Sequence, residues 1–237
     1  MGRETVLVTG VSRGIGSAIA ARCSVDGFAT IGLSRTPPET FHGEHYAVDL
    51  NSVASRDLLT EIANDHAPTR LVCNAGVASS SGILDETDES FERVMRVNVQ
   101  SIVWAMQACI PHMKAVGFGR IVVIGSRAAL GKKERIAYAT SKAALEGLVR
   151  TTALEVGGDG ITVNLVAPGP IETEMFTKLQ PVGSDARRKI VDTTAVGRVG
   201  APAEIASAVS YFLSNDSGFT TGQSLYVCGG MSVGAAR

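Results

Sequence analysis

Thr5–Gly16 reads TVLVTGVSRGIG, and it is followed by SAIAARCSV at Ser17–Val25. The β-branched run Thr5–Thr9 suits a buried parallel strand, whereas SAIAARCSV spaces its apolar residues as a helix does. Between them stand Gly10, Gly14 and Gly16, in a GxxxGxG spacing that differs from the commoner GxGxxG. Glycine permits a tight turn and a close backbone approach, and a helix beginning near Ser12–Gly16 aims unpaired N–H groups and its positive dipole end at an anion. Strand, glycine loop and helix together predict a pyrophosphate cradle built from Gly10, Ser12, Arg13, Gly14, Ile15 and Gly16.

The same alternation runs on. Strands are predicted at Thr5–Thr9, Ala29–Leu33, His45–Val48, Arg70–Cys73, Arg120–Ser126, Ile161–Val166 and Ser224–Val227. Helical patterns cover Gly14–Asp26, Val53–His66, Asp88–Val116, Tyr138–Gly157 and Ala203–Leu213. Such alternation implies an α/β fold, a Rossmann-type doubly wound parallel sheet of about seven strands with helices on both faces and right-handed crossovers. One crossover is short: Arg35–Glu44 reads RTPPETFHGE, and its two prolines leave room for a loop or a single turn rather than a helix. With no spacer, repeat or low-complexity tract, the 237 residues read as one domain.

A second stretch carries chemistry. In YATSK, Tyr138 and Lys142 stand four residues apart, on one face of a helix, with Ser126 a short way upstream. A free phenol, with a pKa of about 10, is a poor acid at neutral pH, and a nearby ammonium is expected to lower that value. A serine hydroxyl reaching the same point can hold a carbonyl oxygen while the tyrosine gives it a proton.

These residues together resemble the short-chain dehydrogenase/reductases. The resemblance runs in order through Thr9–Gly16, Asp49 and Leu50, Asn74, Ala75 and Gly76, Asn98, Ser126, Tyr138–Lys142, and Pro168 and Gly169 with Thr173. It is closest to the 3-oxoacyl-acyl-carrier-protein reductase branch, through GRIVVIGS, GITVNLVAPGPIETEM, VGRVGAPAEIA and TGQSLYVCGGM. The family likeness implies Tyr138 as proton donor, Ser126 as the residue that positions the substrate oxygen, Lys142 as the cation that tunes the phenol and binds the nicotinamide ribose, and Asn98 beside a proton-relay water. It further implies that Asp49 and Leu50 flank the adenine, that Asn74, Ala75 and Gly76 hold the adenosine region, and that Ile171 and Thr173, after Pro168 and Gly169, hold the carboxamide. Residues 176–199 resemble the variable substrate lid.

Charge argues for the form of the nucleotide. Where NAD-specific sheets end the second strand with a carboxylate, this chain has Ser34 and Arg35, and Arg13 lies in the glycine loop. Guanidinium groups suit a 2'-phosphate, so NADP is expected, with NAD the alternative. Arg127, Lys132, Lys133 and Arg135 form a cationic stretch before the tyrosine, read as a solvated loop or as a rim for an acidic acyl chain. Asp159 stands just before GITVN, where carrier-dependent relatives have a basic residue, which argues against an acyl carrier protein partner.

The reaction expected is hydride transfer between a nicotinamide and a ketone or secondary alcohol, a 3-oxoacyl thioester among them. The alternatives are a catabolic dehydrogenase of a cyclic or hydroxy-acid substrate and, in another class, a dinucleotide-sensing protein without catalysis. A formal charge of -1 with both signs scattered gives no electrostatic case for nucleic acid. The chain opens directly into a strand and has no apolar run long enough for a bilayer, so a cytoplasmic protein without leader or membrane segment is expected. Cys23, Cys73, Cys109 and Cys228 are far apart in sequence and, like the four histidines, lack metal-ligand spacing. Long, broadly apolar helices at Asp88–Val116 and Tyr138–Gly157 predict a homo-oligomer, a tetramer before a dimer.

Overall fold

The computed structural model of the chain describes residues 4–233. Seven strands, β1 (Thr5–Thr9), β2 (Ala29–Ser34), β3 (Glu44–Ala47), β4 (Arg70–Cys73), β5 (Gly119–Ile124), β6 (Ile161–Pro168) and β7 (Ser224–Val227), form one sheet in the order β3-β2-β1-β4-β5-β6-β7. Every neighbouring pair is parallel; Leu7 of β1, for example, lies opposite Ile31 on one side and Leu71 on the other. The order reverses direction between β1 and β4, so the carboxyl ends of these two strands open onto a crevice.

Period-two side chains feed two cores. Leu7, Ile121 and Val123 join one cluster with residues of α2 (Ser55–His66), α4 (Ser101–Val116) and α5 (Ile136–Val156). Val6, Val8, Val122 and Ile124 point the other way, onto α1 (Gly14–Val25) and α8 (Pro202–Leu213). Strands covered on both faces are apolar throughout, which is why they read as continuous hydrophobic runs. Each such side chain contributes about 2 kcal/mol by leaving water.

The β2–β3 crossover contains no helix, as RTPPETFHGE predicts. Phe41 does part of the covering instead. A Cβ on Gly32 would stand 2.6 Å from the Phe41 ring and 2.8 Å from a Val11 methyl, so glycine lets the ring lie flat on the strand.

Three predicted elements differ. The helix expected over Asp88–Val116 is α3 (Asp88–Met95), then a π-helical stretch Arg96–Gln100, then α4. β5 ends at Ile124, so Ser126 lies beyond the strand and caps a 3-10 turn at Arg127–Leu130. Within the expected lid, two short helices form, α6 (Glu174–Leu179) and α7 (Asp185–Asp192), started by the hydroxyls of Thr173 and Ser184, which accept from Phe176 and Arg187 N–H. Among the described residues no helix is long and apolar enough to cross a membrane.

Candidate active site

The glycine loop leaves β1 with Gly10 at φ +74° and Gly14 at φ +60°, in the left-handed region that a side chain disfavours. A Cβ on Gly10 would stand 2.8 Å from the Ala75 Cα, and one on Gly16 would collide with the Gly10 carbonyl. The loop therefore packs directly on the Asn74–Gly76 segment. Its last residue, Arg13, precedes α1 in an extended conformation and makes no side-chain cap. The first N–H groups of α1 are thus free of any internal acceptor from a cap, the condition under which a helix start takes an anion. Ser12 and Ile15 line the same turn, half-buried. These features fit a dinucleotide pyrophosphate.

Asn74 ties the loop down: its Nδ2 donates to the carbonyls of Thr9 and Gly10, each at 3.1 Å, and its N–H donates to Thr9 Oγ1. Two residues further on, Gly76 faces the reaction machinery, for a Cβ there would stand 3.3 Å from Asn98 Oδ1 and 3.7 Å from Lys142 Nζ. Asn98, in the π-helical stretch, is fully buried. Its Oδ1 accepts Val77 N–H at 2.8 Å, and its Nδ2 donates to the Val77 carbonyl and to Ser141 Oγ, both at 2.9 Å. The wide turn falls at this amide, on the buried side that Val94 and Ile102 also occupy. Ser141, which the sequence reading passed over inside YATSK, donates in turn to the Tyr138 carbonyl at 2.8 Å.

Ser126 and Tyr138 come together from the end of β5 and the first turn of α5. Ser126 Oγ accepts Ala128 N–H at 3.1 Å, leaving its own proton to give. The Tyr138 phenol is held above its ordinary value of 10.0 by burial, with pulls the other way from the Ser126 hydroxyl and the Arg135 cation. Here the structure corrects the sequence reading, which gave Lys142 the task of lowering this pKa. Lys142 is buried, its Nζ lies 6.0 Å from the Tyr138 ring centroid, and it donates to the Ile124 carbonyl at 2.7 Å. Burial pushes that ammonium down to about 8. At neutral pH the phenol is accordingly a protonated donor.

Around the far end of the cleft, Ser34 is buried and its hydroxyl is taken up by the Thr36 carbonyl at 2.7 Å and by His45 Nε2 at 2.9 Å. Ser34 therefore shapes the end of β2, while the exposed Arg35 beside it offers the charge. Asp49 is exposed and accepts Asn51 N–H at 3.0 Å, with Leu50 buried behind it. Arg13 reaches across the cleft to Glu174 at 3.5 Å. Sequence separation concealed this pair.

β6 ends at Pro168, and Gly169 packs so closely on β7's extension that a Cβ would stand 2.6 Å from the Cys228 Cα. Ile171 is buried and bridges to Gly200, and the Thr173 methyl lies near Gly14. Between them Glu172 accepts from Arg187 of α7 and from Thr177 of α6, with one Arg187 bond at 3.1 Å. This ion pair holds the Glu172 carboxyl below its ordinary range and straps both short helices to the segment under the cleft. Cys228, like Cys23, Cys73 and Cys109, is a buried free thiol.

A parallel sheet with a glycine cradle at its switch point and a serine, a tyrosine and a lysine converging beside it defines a nicotinamide-dependent oxidoreductase. The chain belongs to the short-chain dehydrogenase/reductases, its residues 10–232 matching the family described as enoyl-(acyl carrier protein) reductase. It is similar to the short-chain reductase protein NovJ of Streptomyces niveus, 33% identical over 96% of this chain and 93% of that protein. Similarity to the 3-oxoacyl-[acyl-carrier-protein] reductase FabG of Rickettsia prowazekii is also 33%, over 96% of each. Among solved structures, a 3-oxoacyl (acyl-carrier-protein) reductase from Agrobacterium tumefaciens C58 with NADP bound superposes with a TM-score of 0.90 at 30% identity, covering 95% of this chain and 93% of that one.

Proposed function

We propose that the protein transfers hydride between NADP and the 3-oxo group of an acyl compound, reducing a ketone to a secondary alcohol or running the reverse. The supporting observation is the convergence of Ser126, Tyr138 and Lys142 on the rim of the glycine-lined crevice. Bound NADPH supplies the hydride. Tyr138, kept protonated by its burial, gives a proton to the carbonyl oxygen as charge grows there, and the Ser126 O–H donates to the same oxygen. An ammonium has three donors and Lys142 uses one on Ile124, so the others are available for ribose hydroxyls and for water held near Asn98. Two hydroxyls aimed at one oxygen suit a carbonyl better than the carbon–carbon double bond of an enoyl substrate.

Gly10, Ser12, Arg13, Gly14, Ile15 and Gly16 would hold the pyrophosphate; Asp49, Leu50, Asn74, Ala75 and Gly76 the adenosine; Pro168, Gly169, Ile171 and Thr173 the carboxamide. Arg35 would take the 2'-phosphate, with no carboxylate at the end of β2 to compete and Ser34 fixing the backbone. The NADP held by the Agrobacterium relative agrees. Residues 176–199, which carry the end of α6 and all of α7, act as the lid, and the broad outer faces of α4 and α5, where Leu154 is exposed, pair copies into a homo-oligomer. Buried free thiols fit a reducing cytoplasm. Absorbance of NADPH and of NADH over a panel of 3-oxo compounds tests the reading: turnover with NADPH preferred supports it, and equal efficiency with both nucleotides removes the argument from Arg13 and Arg35.

A further inference from the structure

Between Ser126 and Tyr138 the chain carries Arg127, Lys132, Lys133 and Arg135, and among the described residues no carboxylate bridges any of them. Four cations against one interleaved carboxylate, that of Glu134, leave a net positive potential at the mouth of the cleft. Several cations elsewhere on the surface are paired, Lys114 with Asp159 at 2.9 Å and Arg150 with Glu146 at 2.9 Å among them.

Arg135 is the member fixed in place. It is half-buried at the start of α5, where its Nη1 donates to the Ser79 carbonyl at 2.6 Å and to the Ser80 hydroxyl. Immediately before it, Glu134 sits at φ +57°, a left-handed conformation that a non-glycine residue adopts at a cost. Strain of this kind persists where the surroundings over-determine the backbone, and functional sites are where it clusters. The turn delivers Arg135 to the N-cap of α5, three residues ahead of Tyr138. The Arg135 cation pulls the phenol of Tyr138 downward, and Arg135 and Arg127 both hold the exposed Lys132 ammonium below its ordinary value, so Arg135 neighbours both groups.

We infer that Arg135, backed by Lys132 and Arg127, is an anion subsite of the active centre, and that it takes a free carboxylate a few bonds from the reacting carbonyl, making the substrate a short 3-oxo acid or its hydroxy acid. A guanidinium offers a carboxylate two parallel donors, and Arg135 keeps Nη2 and Nε uncommitted in the described contacts. The phosphates of a coenzyme thioester stand a long pantetheine arm away from its carbonyl, beyond a group one turn from Tyr138. The inference rests on the carbonyl-reduction reading above and narrows its substrate.

The test compares acetoacetate with its methyl ester in wild type, Arg135→Gln and Arg135→Lys, following NADPH absorbance. The acid is expected to exceed the ester at least about tenfold in kcat/KM, and Arg135→Gln to lose about 30-fold on the acid, chiefly in KM, against under about threefold on the ester. Arg135→Lys should recover part of the loss. A wild type that prefers the ester, or a glutamine variant that slows both compounds by one factor, overturns the subsite and leaves Arg135 as a support for the Ser79–Ser80 loop. Butanoate, which cannot react, supplies a second readout: it should raise the thermal midpoint of the wild type and not of Arg135→Gln, and equal shifts overturn the inference. Reduction of neither carbonyl, with NADPH bound, defeats the proposed reaction itself, while butanoate still decides the subsite.

Discussion

The two ends of one sheet treat buried cations in opposite ways. At the amino ends of β4 and β5, Arg70 and Arg120 are buried and fully used: Arg70 donates to the Leu213 carbonyl at 2.9 Å and Asn215 Oδ1 at 2.7 Å and meets Glu4 at 3.0 Å. Arg120 donates to the carbonyls of Gly119 at 2.8 Å and Ser214 at 3.1 Å, and both guanidinium groups lie over the Phe118 ring. At the carboxyl ends, Lys142 is equally buried with a single bond, and Arg135 has no carboxylate. A saturated cation holds elements together; an unsaturated one is left with capacity for something that arrives.

The largest effect expected from this contrast is on turnover. Tyr138→Phe should cut kcat by about a thousandfold or more while NADPH titration by fluorescence changes little, since only the donated proton is lost. Arg70→Met breaks the saturated end. Loss of a buried, paired cation with its partners left behind should cost about 3 kcal/mol in urea unfolding with kcat nearly retained. A variant as stable as the wild type would show that this cluster is ornamental.

Lys142→Met should do the reverse, destroying turnover while raising stability at pH 7 by about 2 kcal/mol. The sign follows from linkage. Burial lowers the folded-state pKa to about 8 from 10.5, so the folded chain carries fewer protons than the unfolded chain between those values. The Lys142 contribution to stability should therefore grow as pH climbs through that window, opposed by the buried thiols of Cys23, Cys73 and Cys109, and it is read as the difference in pH slope between wild type and the methionine variant in pH-dependent melting. The smallest effect belongs to the exposed pair across the cleft: Glu174→Gln should change unfolding free energy by under about 0.5 kcal/mol.

Much of the fold was legible. TVLVTGVSRGIG gave a strand, a loop with two left-handed glycines and a helix, and the prolines of the β2–β3 crossover correctly excluded a helix. What lay hidden depended on contacts distant in sequence. The π-helical turn at Asn98 exists because an amide must reach both Val77 and Ser141, and no periodicity announces it. α6 and α7 are too short for a pattern and are held by Glu172 and Arg187, fifteen residues apart. The direction of the Tyr138 shift turned on the burial of the phenol, which the four-residue spacing does not reveal, while the Lys142 ammonium is engaged by the carbonyl of Ile124.

Asn98 has a wider consequence. One amide bolts the segment after β4 to the fourth residue of YATSK, so the half of the crevice that would grip the nucleotide and the helix that bears the phenol share a buried rivet, beside the bonds of Arg135 to Ser79 and Ser80. Neither half can drift without dragging the other. Alignment between the two partners of the reaction is thus built in before either is seated, and loosening that rivet would blur the aim of the chemistry while leaving every reacting group present.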